Sequence, residues 1–240
     1  MWEKIVKSIV IKNNKIINLT LEEISIKIVE ENSLVTFLNP YSVKKLNRGI
    51  ELLENYDYIF LDGIALVYYF LLVKKIKIKR ISFDMGSLAP YVFSYACRNN
   101  KSIFLVGSKP HEISVAANKI KKRFPNLNII GYSSGFFKDE KEEAKIISQI
   151  REANPDIVVV GMGAYLQEKF LIKLRNSNWN GCGITCGAFL EQTSTKINYY
   201  PSLVNKLNLR WLYRLFKNPK LIKRYFFDYP IQIIKIIRMW

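Results

Sequence analysis

"DIVVVGMGAYLQEKF" (residues 156–170) runs from four β-branched residues through Gly-x-Gly into a polar pair and an amphipathic stretch. β-Branched side chains suit a pleated strand, and an unbroken apolar run marks a strand buried on both faces. The glycines read as a tight turn, and "LQEKFLIKL" (166–174) continues as a helix. Strand, glycine turn and helix form the repeating unit of a parallel α/β sheet. Whether this turn holds a ligand or only connects a strand to a helix stays open from these residues alone.

The same unit recurs outward in both directions. "SLVTFL" (33–38) reads as a strand, with Leu46, Ile50 and Leu53 at helical spacing behind it. "YDYIFLDG" (56–63) and "SIFLVGS" (102–108) are strands that end in a turn, and Ile113, Ala116, Ala117, Ile120 and Phe124 form one face of a following helix. "NLNIIGY" (126–132) is a short strand, "EEAKIISQIREAN" (142–154) a helix, and "GCGITCGAF" (181–189) a last short strand. This alternation predicts an α/β fold: a Rossmann-like, mostly parallel sheet with helices on both faces. After about residue 200 the pattern changes to short helices punctuated by Pro219 and Pro230. We therefore divide the chain into a Rossmann-like domain, 1–200, and a helical appendage, 201–240.

Composition narrows the possibilities. The chain has 240 residues, 49% of them hydrophobic, which suffices for a packed core. Its formal net charge of +17 suits an anionic membrane surface, a nucleic acid or an anionic substrate. The appendage carries nine basic residues against one acid, Asp228, so about half of the excess sits there. Trp211, Tyr213, Phe216, Tyr225 and Trp240 interleave with those cations, a mixture that suits a membrane interface and also a nucleic-acid surface. Cys97, Cys182 and Cys186 have no framework spacing, and His111 is the single histidine, so neither a disulfide scaffold nor a zinc site is expected. No apolar run suggests a signal peptide or a spanning helix, and a cytosolic location is expected.

In open parallel sheets, ligands bind beyond the carboxyl ends of the strands. Four such ends carry polar groups or glycines: Asn39, Asp62, Gly107 with Ser108, and Gly161-x-Gly163 followed by Gln167 and Glu168. Together they suit a phosphate-bearing ligand at helix N-termini. Each also has a plain structural alternative. The glycines serve as turns, Asp62 caps a helix, and Gln167 and Glu168 favour a helix's first turn. A dinucleotide fingerprint is disfavoured, because Gly161 and Gly163 come late and Leu166 occupies the third glycine position.

Read jointly, these segments resemble the WecG/TagA/CpsF glycosyltransferase family. "GMGAYLQE" is similar to its G-x-G-x-P-K-Q-E motif, "LDGIALV" to its P-D-G-I-G-V-V, and "FLNPYSV" to its N-P-E stretch. "SIFLVGSKPHEISVAANKIKKRFPNLNIIGYSSGFF", which contains Gly135, resembles its central segment, and "LNLRWLYRLFKNPKLIKRY" resembles its tail. The resemblance is colinear from about residue 33 to 230. It implies an inverting, metal-independent transferase that takes UDP-sugar as donor and needs no cofactor. The acceptor would be a polyprenyl-diphosphate-linked glycan at the cytoplasmic face of the membrane, in cell-surface polysaccharide biosynthesis. By the resemblance, Asp62 is the general base and Asn39 and Arg80 line the catalytic pocket. Gly107, Ser108, Gly135, Gly161, Gly163, Gln167, Glu168 and Asp84 bind substrate, and Arg214 and Arg224 close over the site. The family admits both monomers and larger assemblies. A non-catalytic nucleotide- or nucleic-acid-binding module is the competing reading; partner expectations otherwise include an anionic membrane surface and no nucleic acid.

The sequence also departs from the family pattern. Tyr165 and Leu166 replace its Pro-Lys, Leu190 replaces an Asp, Tyr199 and Tyr200 replace Arg-Ala, Arg210 replaces a Glu, Leu221 replaces an Arg, and Asp84 lies one position early. These changes fall around the expected sugar sites. They argue against simply copying an N-acetylmannosamine donor and admit another, such as UDP-glucose.

Overall fold

The structure, a computed structural model, describes residues 16–47, 49–207 and 209–238, and their side chains except at 202, 206, 220, 224 and 236–238. Six strands form one sheet: β1 (Leu34–Leu38), β2 (Tyr58–Leu61), β3 (Ser102–Gly107), β4 (Asn128–Ser133), β5 (Ile157–Gly161) and β6 (Cys182–Thr185). Their spatial order is β2-β1-β6-β5-β3-β4, and every pairing is parallel. All six coincide with stretches predicted as strands. The four central strands are almost wholly buried, which is why their sequences read as continuous apolar runs. β4, at one edge, alternates exposed and half-buried residues.

Alternate side chains feed two cores. Val35 and Phe37 of β1 join one apolar layer, and Leu34 and Leu38 join the other. The first layer is covered by α1 (Leu21–Glu30), α4 (Ala89–Arg98), α5 (Pro110–Arg123) and α8 (Phe189–Thr195). The second is covered by α2 (Pro40–Leu46), α3 (Ile64–Leu72), α6 (Glu140–Ala153) and α7 (Leu166–Asn176). Helix α1 begins in a reciprocal capping box between Thr20 and Glu23, a signal of helix initiation.

Three local expectations are corrected. Leu46, Ile50 and Leu53 do not share one helix: α2 ends at Leu46, and a 3-10 turn occupies Ile50–Asn55 beyond Gly49. All three remain buried, so the spacing signalled burial rather than continuity. Only the first part of "GCGITCGAF" is strand, and Phe189 already starts α8. Pro230 does not break the tail. After α9 (Ser202–Lys206), α10 (Arg210–Lys217) and a 3-10 turn (Pro219–Leu221), the backbone stays helical from 222 to 238. It widens to a π turn over Arg224–Asp228, immediately before α11 (Tyr229–Arg238). A proline ring crowds the preceding turn and donates no hydrogen bond, and a wider turn there accommodates both.

The appendage folds back over the carboxyl ends of the strands. Helix α11 packs on α2, and Lys44 Nζ donates to Asp228 Oδ1 at 2.7 Å. This return of the tail places cationic and aromatic side chains above the strand ends.

Candidate active site

A cavity of about 530 Å³ lies between the sheet's carboxyl edge and the returning tail. That volume falls in the range of small-ligand sites. Asn39, Asp62, Gly163, Gln167 and Thr185 line it from the ends of β1, β2, β5 and β6, while Trp211, Arg214, Tyr225 and Ile233 line it from the tail. The cavity therefore forms only because distant parts of the chain converge.

Asp62 directly follows β2 and does not cap the next helix: Gly63 occupies the N-cap of α3. Its partner is Arg80. A single parallel bridge between Leu61 and Arg80 extends the sheet edge and brings that arginine alongside. Arg80 Nε donates to the Asp62 carbonyl at 2.9 Å, and Nη2 donates to Asp62 Oδ1 at 3.1 Å. The guanidinium thus fixes the carboxylate through one oxygen. Among the described residues Oδ2 accepts no hydrogen bond, which leaves it for a proton or a hydroxyl.

Asn39 has two roles at once. Its Oδ1 caps α2, accepting from the backbone N–H of Tyr41 and of Ser42 at 3.0 Å each. Its amide nitrogen has no such duty and remains a donor at the cavity wall. Asp84 lies on the opposite wall but is engaged. Oδ2 accepts from Ser82 Oγ at 2.7 Å and from Arg210 Nη1 at 2.5 Å, and Oδ1 accepts from the Gly86 N–H at 2.8 Å.

Gln167 and Glu168 separate in role. Gln167 is buried at the cavity wall, donating to Glu168 Oε1 at 2.9 Å and accepting from the Gly187 N–H at 3.1 Å. Glu168 does not reach the cavity. Its fully buried carboxylate accepts from Thr36 Oγ1 at 2.9 Å and from the Tyr165 N–H at 2.6 Å. Burial raises its pKa, and the hydrogen bonds from Gln167, Thr36 and Tyr165 oppose that shift. Thr185 Oγ1 donates to Thr36 Oγ1 at 3.0 Å, so a buried polar chain underlies the cavity floor. Glu168 therefore holds Gln167 in place rather than meeting a ligand.

Gly107, Ser108, Gly135 and Gly161 lie outside the cavity lining. They lock three loops together. A Cβ on Gly107, whose φ is +149°, would lie 2.5 Å from the Gly161 carbonyl oxygen, and one on Gly135 would lie 2.9 Å from the Gly107 Cα. The Ser108 carbonyl accepts from the Gly135 N–H at 3.1 Å. Gly163 differs: it lines the cavity at φ +82°, and a Cβ there would meet nothing within 4 Å. Tyr165 follows at φ +77°, ψ −50°, a strained conformation for a residue with a side chain.

The tail contributes two arginines of different character. Arg210 is buried and docks α10 onto the sheet. Besides Asp84 it donates to Ser82 Oγ at 2.9 Å and to Asn205 Oδ1 at 2.6 Å, and it lies over the Tyr200 ring at 4.9 Å. Arg214, one turn later, lines the cavity and has no ion-pair partner among the described residues. Burial opposes its charge, but the anionic forms of Tyr200, Tyr225 and Tyr229 and the Asp62 carboxylate raise its pKa on balance, and near neutrality it is Asp62 that supplies the negative charge beside it. Among the described wall residues, two carboxylates are each paired with a guanidinium, and Arg214 is the surplus cation. Arg224 lies in the π turn, and its side chain falls outside the described residues.

The Arg210–Asp84 contact should decide whether the tail stays docked. Breaking a buried pair leaves an uncompensated charge and costs roughly 3 kcal/mol or more, about 10²-fold in a local equilibrium. Arg210→Ala is thus expected to expose residues 201–240 to proteolysis far faster. The exchange Asp84→Arg with Arg210→Asp should recover part of the protection. Equal cleavage rates for the unaltered chain and Arg210→Ala would rule the latch out.

Sequence reasoning missed Thr185, Tyr200 and Gln192 as wall residues and Arg210 as the tail's anchor. Thr185 had a usable signal, being the polar end of an apolar strand. Burial pushes the Tyr200 hydroxyl pKa up to about 12, so it stays protonated near neutrality. Burial likewise pushes up the thiol of Cys186, another wall residue, which makes it a poor nucleophile.

Comparison with known proteins gives consistent matches. The profile of the Glycosyl transferase WecG/TagA/CpsF family matches residues 9–240. The chain is 36% identical over 204 residues to a Shigella boydii UDP-Gal:alpha-D-GlcNAc-diphosphoundecaprenol beta-1,4-galactosyltransferase, covering 85% of each chain. It is 32% identical over 197 residues to a Bacillus subtilis (strain 168) N-acetylglucosaminyldiphosphoundecaprenol N-acetyl-beta-D-mannosaminyltransferase, covering 80% of this chain and 74% of the relative.

Proposed function

The chain belongs to the glycosyl transferase WecG/TagA/CpsF family, and from that premise we propose a hexosyltransferase that acts on a polyprenyl-linked acceptor. It moves one hexosyl unit from a UDP-sugar to a glycan carried on polyprenyl diphosphate, during assembly of a cell-surface polysaccharide. One observation supports this most. A carboxylate oriented by an arginine, Asp62, and a guanidinium with no ion-pair partner among the described residues, Arg214, face one cavity of suitable size.

The chemistry follows from their difference. The acceptor hydroxyl oxygen attacks the anomeric carbon as Asp62 Oδ2 takes its proton. The bond from that carbon to the UDP oxygen breaks on the opposite face, and the departing diphosphate gains negative charge. Arg214 neutralises that charge, a task for which a guanidinium is well shaped. Both relatives are named for β-linked transfer. A β product from an α-linked UDP-hexose requires attack from the opposite face, hence inversion. We further propose that no metal is needed: Arg214 supplies the cation, and both described cavity carboxylates are already held by arginines.

The tail would rest on the cytoplasmic face of the membrane. No described helix is long and apolar enough to cross a bilayer. Phe216 is 78% exposed, and Phe226, Phe227, Ile231 and Ile234 are also exposed along a basic segment. Aromatic and aliphatic groups among cations favour the bilayer interface.

The test is UDP release across a panel of UDP-hexoses, with and without a lipid-linked acceptor. Acceptor-dependent release that survives EDTA is expected. Loss of activity with EDTA would end the metal-free proposal. Salt-sensitive oligonucleotide binding with no release would favour the competing binding module.

A further inference from the structure

Helix α3, "IALVYYFLL", carries no charged residue on any side. A helix apolar all round is ordinarily buried or in contact with lipid. Only part of α3 is buried here: Leu66, Tyr69 and Phe70 pack inward. Tyr68, Leu71 and Leu72 are 52%, 43% and 63% exposed, and the adjoining Val73 is 52% exposed. Positions 68, 71 and 72 follow i, i+3, i+4 spacing and so form one face. At nine residues the helix is too short to span a bilayer.

The chain chemistry beyond this face is basic. Lys75 turns the backbone at φ +56°, and Lys75 and Lys77 are exposed. No acidic residue occurs between Asp62 and Asp84. We propose that the exposed face of α3, together with Lys75 and Lys77, is a second membrane-docking element that seats on an anionic bilayer.

Leu71 and Leu72 suit the acyl boundary, Tyr68 the headgroup level, and the lysines the anionic headgroups. Charge complementarity favours lipid over a second copy. A symmetric dimer through this face would bring two sets of Lys75 and Lys77 together on chains of formal charge +17. The placement also serves access to the site. Ile64 and Ala65, the first residues of α3, line the cavity with Tyr229 and Ile233 of the tail. A lipid-borne diphosphate would therefore approach between two membrane-seated elements. The proposal rests on the acceptor reading for this purpose, but not for the contact itself.

The experiment is flotation of the full chain with phosphatidylcholine vesicles, with or without phosphatidylglycerol. Leu71→Ser/Leu72→Ser and, separately, Lys75→Glu/Lys77→Glu should each lower partition onto anionic vesicles about tenfold or more. Both should retain UDP release with a water-soluble, short-chain acceptor. Unchanged partition of both variants would overturn the proposal. So would a dimer of the unaltered chain that Leu71→Ser/Leu72→Ser dissociates without changing flotation. Absence of turnover on the soluble acceptor by the unaltered chain would strike the catalytic reading, while flotation still decides the docking face.

Discussion

Asp62→Asn is expected to lower kcat by about 10³-fold while UDP affinity shifts by no more than about threefold, because a positioned general base contributes roughly 10²–10⁴-fold. The substitution keeps the size of the side chain and a carbonyl oxygen that can accept from Arg80. It removes the oxygen that takes the acceptor's proton. The attacking oxygen would then have to develop positive charge or lose its proton to water. The backbone contact from Arg80 Nε to the Asp62 carbonyl at 2.9 Å does not depend on the carboxylate, so the local geometry should persist. Acceptor-dependent UDP release measures the first quantity, and calorimetric titration with UDP the second. Near-normal turnover would remove Asp62 from the role of base. A parallel loss of UDP binding would show that its contribution is to the pocket's shape instead.

The second large effect concerns Arg214. Removing a positioned cation from a departing diphosphate is expected to cost about 10²–10³-fold in kcat, by analogy with the loss of one oxyanion donor. Arg80 and Arg210 cannot take over, since each is committed to an aspartate. Arg214→Ala should leave the tail docked, because Arg210 makes the anchoring contacts. Protease resistance and vesicle flotation should therefore match the unaltered chain. Arg214→Lys should recover part of the rate, as a point charge without the planar fork of donors. If Arg214→Ala turns over normally, charge neutralisation at the diphosphate lies elsewhere.

Five strands were legible because β-branched and apolar runs report burial on both faces, and the edge strand β4, which alternates exposed and half-buried residues, also lies where a short strand was read. Strand-end chemistry was legible in part. Asp62 and Gly163 end strands or their turns and do line the cavity, whereas Gly107, Ser108 and Gly161 satisfy the same rule and lock loops instead. The difference depends on how three loops nest, which spacing along the chain does not encode. Adjacent residues diverged for a simple reason: on a helix, neighbours point about 100° apart, so Gln167 meets the cavity while Glu168 is buried behind it. Two departures from the family pattern turned out to be partners. Asp84 and Arg210, 126 residues apart, form one largely buried pair, which no local reading could join. The replacement at Tyr165 has a backbone consequence as well. Its φ of +77° is closed to proline, whose ring fixes φ near −65°.

Product analysis tests the central claim most directly. The chain should be incubated with a UDP-hexose and a synthetic polyprenyl-diphosphate acceptor sugar, and the lipid product examined by mass spectrometry and NMR. The predicted result is an acceptor extended by a single hexosyl unit in β linkage, with one UDP released per linkage formed. An α-linked product would contradict inversion by Asp62. An acceptor left unextended by every UDP-hexose tested would contradict the assignment as a hexosyltransferase acting on polyprenyl-linked sugar.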